Sequence, residues 1–328
     1  MNVFSSNEAL RALASAHGAA DHAGFVEARV AGQSFRTISI DGAPVLSHRL
    51  IDFFEPVEDT SEAPVAGRFV PRAAVRTVPV DGWAAVSGPE NEPAPTIRWR
   101  SFADWAAFER SASSHQKTIW SDSRRRTRKL AAEVGPVAYV AHDPDPEAWD
   151  RCLQWKAEQY ARTGAPSTFN DPEVTAYLDA IAGSGLTRVS TLRAGDDLVA
   201  VHIGLHHEGR WYSWFPAFDR AYDRYAPGRL LLHEMLRTSF DGGDDEFDFL
   251  FGDEGYKWTY ATHVRVVEPL GVPSVVERAR LLRKSLPRKY PAVGRAGRAA
   301  VQRARKLRTR VGRDVRRDVG DSEVAGCS

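Results

Sequence analysis

The chain has 328 residues, 43% hydrophobic and 27% charged, the balance of a globular protein long enough to bury a substantial core. Its net charge of +1 is a sum of opposites: residues 277–328 carry 16 Lys+Arg against 5 Asp+Glu, the remainder 28 against 38, so an acidic body carries a basic tail. No apolar run reaches the ~18–20 residues of a membrane helix, the N-terminus lacks a signal-peptide layout, and Cys152 and Cys327 form neither a metal spacing nor a disulfide framework, so a cytoplasmic protein is expected.

Residues 1–110 read as mixed structure. Phe25–Val30, Phe35–Ile40 and Val75–Val80 are strand-like, and the stretches Glu55–Ala66 and Ser87–Pro95 read as loops. No chemical motif stands out there. Ser101–Phe108 begins a helix. Lys117–Leu130 is a strongly basic helix, with Ser121, Asp122 or Ser123 as its cap. It is either a solvated face or a phosphate contact through residues such as Arg124 and Arg128. Val137–Ala141 follows as a strand. Pro146–Thr163 is a helix, with Trp149, Cys152, Leu153 and Tyr160 at helical spacing and Gly164 and Pro166 as its stop. Pro172–Ile181 is another. Leu186–Arg193, Leu198–Leu205 and Trp211–Phe218, joined by tight turns, form an antiparallel meander. A helix from Pro227 to Phe240 then leads to a strand, Glu246–Phe251, which a right-handed crossover can lay parallel to the third meander strand. His263–Val267 is the last strand. The fold class is α+β with a mixed sheet.

The chemical interest lies where the third meander strand meets its helix. Pro216 sits inside a run that otherwise reads as strand, which points to a bulge or an opening in the sheet. Pro227 suits a first helical turn, and Gly228 lets a ligand approach the backbone. Free N–H groups of Gly228, Arg229 and Leu230 would face an anion, aided by the helix dipole and by Arg224 and Arg229. On the Pro-Gly pair alone, a plain helix start explains as much. His202 reads as a satisfied strand residue, His206 and His207 lack a third ligand, and His233 is a minor candidate base. No metal site is expected.

Two further stretches carry a resemblance. Tyr222–His233 together with Phe247–Lys257 resembles the GNAT-superfamily acetyltransferases associated with cellulose and exopolysaccharide biosynthesis. Ser114–Leu130 is similar to that family's Arg-rich helix, and Trp155-Lys-Ala-Glu-Gln-Tyr160 to its next one. The likeness covers roughly 115–270. That family is in turn similar to the FemAB-type aminoacyl transferases, which pair two GNAT-like halves. Three regions are therefore expected: an N-terminal α/β region (1–115) that may be read as a degenerate first half, a GNAT-type acyltransferase domain (116–272), and a basic helical or disordered tail (273–328).

The resemblance implies an acyl-CoA, such as acetyl-CoA, as co-substrate. The acceptor would be an amine or hydroxyl of a sugar or cell-envelope precursor that attacks the thioester directly. Backbone groups near Phe215 and Ala217 would hold the pantetheine arm, and Arg224, Pro227, Gly228, Arg229 and Leu230 the phosphates. Asp253 and Glu254 are the candidate bases, Tyr256 the acid for the leaving thiolate, and Lys257, Arg124 and Arg128 the substrate contacts. Arg224-Tyr-Ala-Pro-Gly-Arg229 departs from the usual Gln/Arg-x-x-Gly-x-Gly/Ala loop by having a single, displaced glycine. That leaves an aminoacyl-tRNA donor, or a non-catalytic binding module, as the alternatives. Basic helices at Val276–Lys284 and Gly297–Val311 could lie on an anionic membrane, such as the inner face of the cell membrane, or on nucleic acid, or be a solvated tail.

Overall fold

The computed structural model describes residues 2–58, 64–88, 90–164, 168–279 and 281. Residues 1–272 cluster as one compact unit. Its elements run α1 (Asn7–Ala16), β1 (Gly24–Val30), β2 (Gln33–Ile40), β3 (Ala43–Pro44), β4 (Val65–Ala66), β5 (Phe69–Pro79), α2 (Trp83–Val86), β6 (Glu92–Arg98), α3 (Trp105–His115) and α4 (Ile119–Glu133). They continue with β7 (Val137–Val140), α5 (Pro146–Thr163), α6 (Pro172–Ala182), β8 (Thr187–Ala194), β9 (Asp197–His207), β10 (Arg210–Phe218), α7 (Pro227–Asp241), β11 (Glu246–Asp248), α8 (Gly255–Tyr260) and β12 (His263–Gly271). A four-stranded sheet is ordered β3-β2-β1-β4, and an eight-stranded mixed sheet is ordered β5-β12-β6-β11-β10-β9-β8-β7.

The meander and crossover form as the sequence predicts. β7 to β10 pair antiparallel in chain order, and β10 lies parallel to β11. α5 begins at Pro146 with Asp145 accepting from Glu147 N at 2.9 Å, and ends at Gly164, whose φ is +71°. Four expectations change. Ser87–Pro95 is not all loop, because Glu92–Arg98 is β6, a strand paired on both sides. Its prolines fit because Pro93 and Pro95 need only accept: their carbonyls take the N–H groups of Gly252 and Phe249. β11 stops at Asp248 rather than Phe251, since Leu250 adopts a φ of +57°. α4 starts at Ile119 after Thr118 with no side-chain cap, and Asp122 instead binds arginines. Residue 115 marks no break between bodies, because β5 and β6 lie in the same sheet as β7 to β12.

Each face of the large sheet buries its own core. Val201, Ile203 and Leu205 of β9 and Tyr212 and Ala217 of β10 pack with α1, α5 and α6. Ala200 and Trp211 pack with α3, α4, α7 and α8 on the other side. At the paired end of β10 and β11 the sheet is fastened by charge. Arg265 of β12, whose side chain is 4% exposed, reaches Glu55 at 2.7 Å, Glu246 at 2.5 Å and Asp248 at 2.8 Å. Arg210 of β10 reaches Glu55 and Glu246, each at 2.9 Å, and Thr96 donates to Glu246 at 2.6 Å.

Residues 273–328 form a second unit. Residues 275–279 and 281 are helical, and Ser274 and Glu277 cap the start reciprocally at 3.3 and 2.7 Å. The expected basic helix Val276–Lys284 falls only partly, and Gly297–Val311 not at all, within the described residues. No described helix is long and apolar enough to cross a membrane.

Candidate active site

β10 and β11 run side by side for three residue pairs, Arg210 with Glu246 to Tyr212 with Asp248, and then part. Past Asp248 the chain turns toward β6. β10 continues to Phe218 with β9 alone beside it, and its register shifts between Ser213 and Phe215, leaving Trp214 as a bulge. Pro216 lies in this one-sided stretch, where its missing N–H disturbs least. The outcome is a V-shaped opening in the sheet.

A cavity of about 430 Å³ occupies it. His202, Ser213, Pro216, Phe218, Gly228 and Leu231 line it from the α7 face, and Lys156, Gln159, Val201 and Ala217 from the α5 face. Because strand residues of both faces contribute, the cavity is a passage through the sheet. Tyr256 and Tyr260 of α8 complete the wall.

At the α7 end, Ala226 takes a left-handed conformation (φ +54°) and Pro227 opens the helix with no side-chain cap. Arg229 N and Leu230 N both donate to Ala226 O, at 3.0 and 3.2 Å. Of the three N–H groups expected to be free, these two are therefore taken, and Gly228 keeps the N–H without a backbone partner among the described residues. A Cβ at Gly228 would stand 3.3 Å from the Phe218 ring, so a side chain there would have to shift that ring slightly. α4 braces this corner. Asp122 binds Arg229, Arg126 at 2.8 Å and Arg125 at 2.5 Å, and these guanidiniums hold its carboxyl well below the ordinary aspartate range. Arg126 also donates to Arg224 O. Arg224 turns outward to Glu133 at 3.2 Å and stacks on Tyr225.

The remaining expected site residues divide. Ala217, Gly228, Arg229 and Tyr256 line the cavity. Tyr256 is 44% exposed as a residue, yet burial of its hydroxyl, with the charge of Glu254, raises its pKa above the ordinary tyrosine value. Phe215 is buried against Phe169 and Trp214, and its carbonyl takes the Cys152 thiol at 3.3 Å. It is a wall of the α5 core rather than a cavity contact. Pro227 and Leu230 are buried supports of the helix start. Asp253 does not line the cavity; it accepts from Trp258 Nε1 at 2.8 Å. Glu254 is not among the lining residues either; its side chain is 58% exposed and pairs with Lys257 at 2.8 Å. Lys257 is not a free substrate contact, because its buried ammonium also donates to Leu250 O and Phe251 O at 3.3 and 2.9 Å. It fixes the turn that ends β11. Arg124 and Arg128 line a separate cleft with Trp105, Trp120 and Arg237.

Neither His202 nor His233 is a base near neutral pH. His233 Nε2 meets Tyr260 Oη at 2.7 Å, its ring lies 4.1 Å from that of Trp120, and burial lowers its pKa to about 3. His202 Nε2 meets Ser213 Oγ at 3.0 Å and burial lowers it to about 3 as well, while Nδ1 is buried without a partner among the described residues. Sequence reasoning missed His202, Ser213, Lys156 and Gln159 as lining residues. The strand period could have placed His202 on the opposite face from Val201, but only the shifted register brings Ser213 to it.

A comparison with curated proteins finds no match. Among solved structures the chain is similar to FemX, at 9% identity over 82% of this chain and 91% of that one, with a TM-score of 0.49. It is also similar to L-PGS from Bacillus licheniformis, at 9% identity over 83% and 90%, with a TM-score of 0.46. A third is a GCN5-related N-acetyltransferase from Kribbella flavida, at 10% identity over 84% and 97%, with a TM-score of 0.38. Residues 120–258, the stretch from α4 to α8 that builds the opened sheet, match the family described as Acetyltransferase (GNAT) domain, and the chain thus carries a domain of the GNAT acyltransferase fold.

Proposed function

We propose that the domain moves an acyl group from acyl-CoA to an amine or hydroxyl of a sugar or related envelope or exopolysaccharide precursor. The observation that carries this reading is the parting of β10 from β11, with Gly228 at one end of the resulting passage and Tyr256 on its wall. The thioester arm lies along the open edge of β10 with its phosphates toward the start of α7, where the helix dipole favours anions. The acceptor nitrogen or oxygen attacks the thioester carbonyl carbon, the C–S bond breaks, and Tyr256 gives its proton to the leaving sulfur. Glu254, two residues earlier in the chain, receives the acceptor's proton. Holding two substrates in line across one passage supplies the orientation that such a transfer needs.

Acetyl-CoA at about 100 times its Kd is expected to stabilise the chain by roughly 2.7 kcal/mol, read as a rise in Tm. Gly228→Val, which drives branched carbons between α7 and Phe218, is expected to abolish that rise while the unliganded Tm changes little. No stabilisation of the parent chain by acetyl-CoA would sink the reading. Tyr256→Phe is expected to lower kcat about 10²-fold with KM for acyl-CoA unchanged; full turnover in a folded Tyr256→Phe protein would remove it from the mechanism.

One feature weighs against a CoA donor and keeps aminoacyl-tRNA as the second reading. Asp223 adds a carboxylate to the cavity wall near the helix start, and Arg229 is drawn to Asp122, so the corner is less cationic than a pyrophosphate would prefer. Stabilisation by charged tRNA but not by acetyl-CoA would select that donor. Silence toward both would select a binding module.

A further inference from the structure

Lys156 and Gln159 stand one turn apart on α5 and line the same side of the passage. The surroundings of Lys156 are unusual for an ammonium. Lys129 and Lys257 pair with Glu133 and Glu254, whereas the partners of Lys156 are an amide and a ring: Gln159 Oε1 at 3.2 Å and the centre of Tyr160 at 5.7 Å. Glu254, whose field reaches Lys156, is drawn to Lys257 instead. Burial lowers the Lys156 pKa, which marks a charge that has lost hydration without gaining a counter-ion among the described residues. The acceptor oxygen of Gln159 offsets this loss only in part, and an anion in the passage would supply the missing counter-charge.

The position of this charge matters. The helix start and Gly228 lie toward the α7 face, Lys156 and Gln159 toward the α5 face. A donor held at α7 leaves the α5 side to the acceptor. We infer that the α5 side of the passage binds an acceptor bearing an anionic group, a carboxylate or a phosphate, which docks on Lys156 and Gln159 while its amine or hydroxyl faces the opening. This rests on the acyl-transfer reading for the identity of the opposite side. It adds that uncharged amines and alcohols are poor acceptors.

The test labels the full chain with an amine-reactive reagent in the presence of excess desulfo-CoA and follows modification at Lys156 by mass spectrometry. Inorganic phosphate, acetate, D-glucosamine 6-phosphate and D-glucosamine are compared as protectants. An anion at ten times its Kd is expected to slow Lys156 labelling roughly tenfold, with D-glucosamine without effect at the same concentration. Phosphate against acetate separates the two anion chemistries, and Gln159→Leu is expected to weaken the protection. Labelling at one rate with and without every anion overturns the inference. A thermal shift with desulfo-CoA on the same sample keeps the two ideas apart. Stabilisation without protection sinks the anionic acceptor alone; protection without stabilisation leaves an anion site and sinks the CoA donor.

Discussion

Replacing Arg265 with methionine is expected to cost about 3–5 kcal/mol of folding stability, the usual penalty for stranding buried charges by removing their partner. Arg265 holds three carboxylates, Glu55, Glu246 and Asp248, and burial already pushes the Asp248 carboxyl above the ordinary aspartate range despite the guanidinium beside it. Without Arg265, Arg210 is left to balance Glu55 and, with Arg98, Glu246, and Asp248 has no cation within ion-pair distance among the described residues. Urea unfolding measures the loss directly as a lower midpoint at constant slope. Adding Glu246→Gln and Asp248→Asn to the Arg265→Met chain is expected to recover part of it, because neutral amides no longer need the cation. A midpoint equal to that of the parent would mean that water, not Arg265, balances these carboxylates. The consequence reaches the candidate site. Glu246 and Asp248 are the two ends of β11, so the network holds closed the end of the V from which β10 and β11 diverge.

Acid is expected to destabilise the chain before its exposed carboxylates are protonated. His202 and His233 are buried and neutral, with pKa values lowered from 6.5 to about 3. An unfolded chain binds protons at both once the pH drops below 6.5, while the folded chain does not, so stability is full above that value and falls as pH falls toward 3. At pH 5 the loss is about 2 kcal/mol for each histidine, about 4 kcal/mol for the pair. That is comparable with the whole stability of many domains. Stability measured at pH 7.5, 6 and 5 is expected to follow this slope, to which the buried His48, lowered to about 4, adds a similar amount, and His233→Gln to flatten it by about a third while lowering stability at pH 7.5. A parent profile that is flat from pH 7 to 5 would contradict the burial of these rings. Because both rings stay neutral across this range, the pH–rate profile of acyl transfer should carry no inflection from either.

Much of the framework was legible because it is written in local periods. The span of α5 follows from Pro146 and Gly164, and the meander from three alternating runs with tight turns. The opening in the sheet was signalled by Pro216, a residue that a doubly paired strand tolerates poorly. β6 was hidden for the same reason, since Pro93 and Pro95 read as loop until it is seen that their carbonyls are the groups used. The shortness of β11 was equally hidden. A positive φ at Leu250 has no sequence signature, and the lysine that fixes the turn, Lys257, lies seven residues further on.

The candidate site shows the same division. Residue types fixed what kind of groups stand at the start of α7: a proline that gives up its N–H, a glycine with no Cβ, and arginines nearby. Which of them remain available to a ligand was decided by partners distant in the chain. Asp122 takes Arg229 from 107 residues away, and Arg126 reaches the carbonyl of Arg224 across 98. The passage through the sheet depends on two strands parting after three paired residues. Sequence by itself determined the order of elements from α4 to β11 and the residue types at the corner where α7 begins, because these follow from local backbone preference and strand or helix period. Only the tertiary structure decided that Lys156 and Gln159 share a passage with Gly228 and Tyr256, because α5, α7 and α8 meet there by packing on opposite faces of one opened sheet.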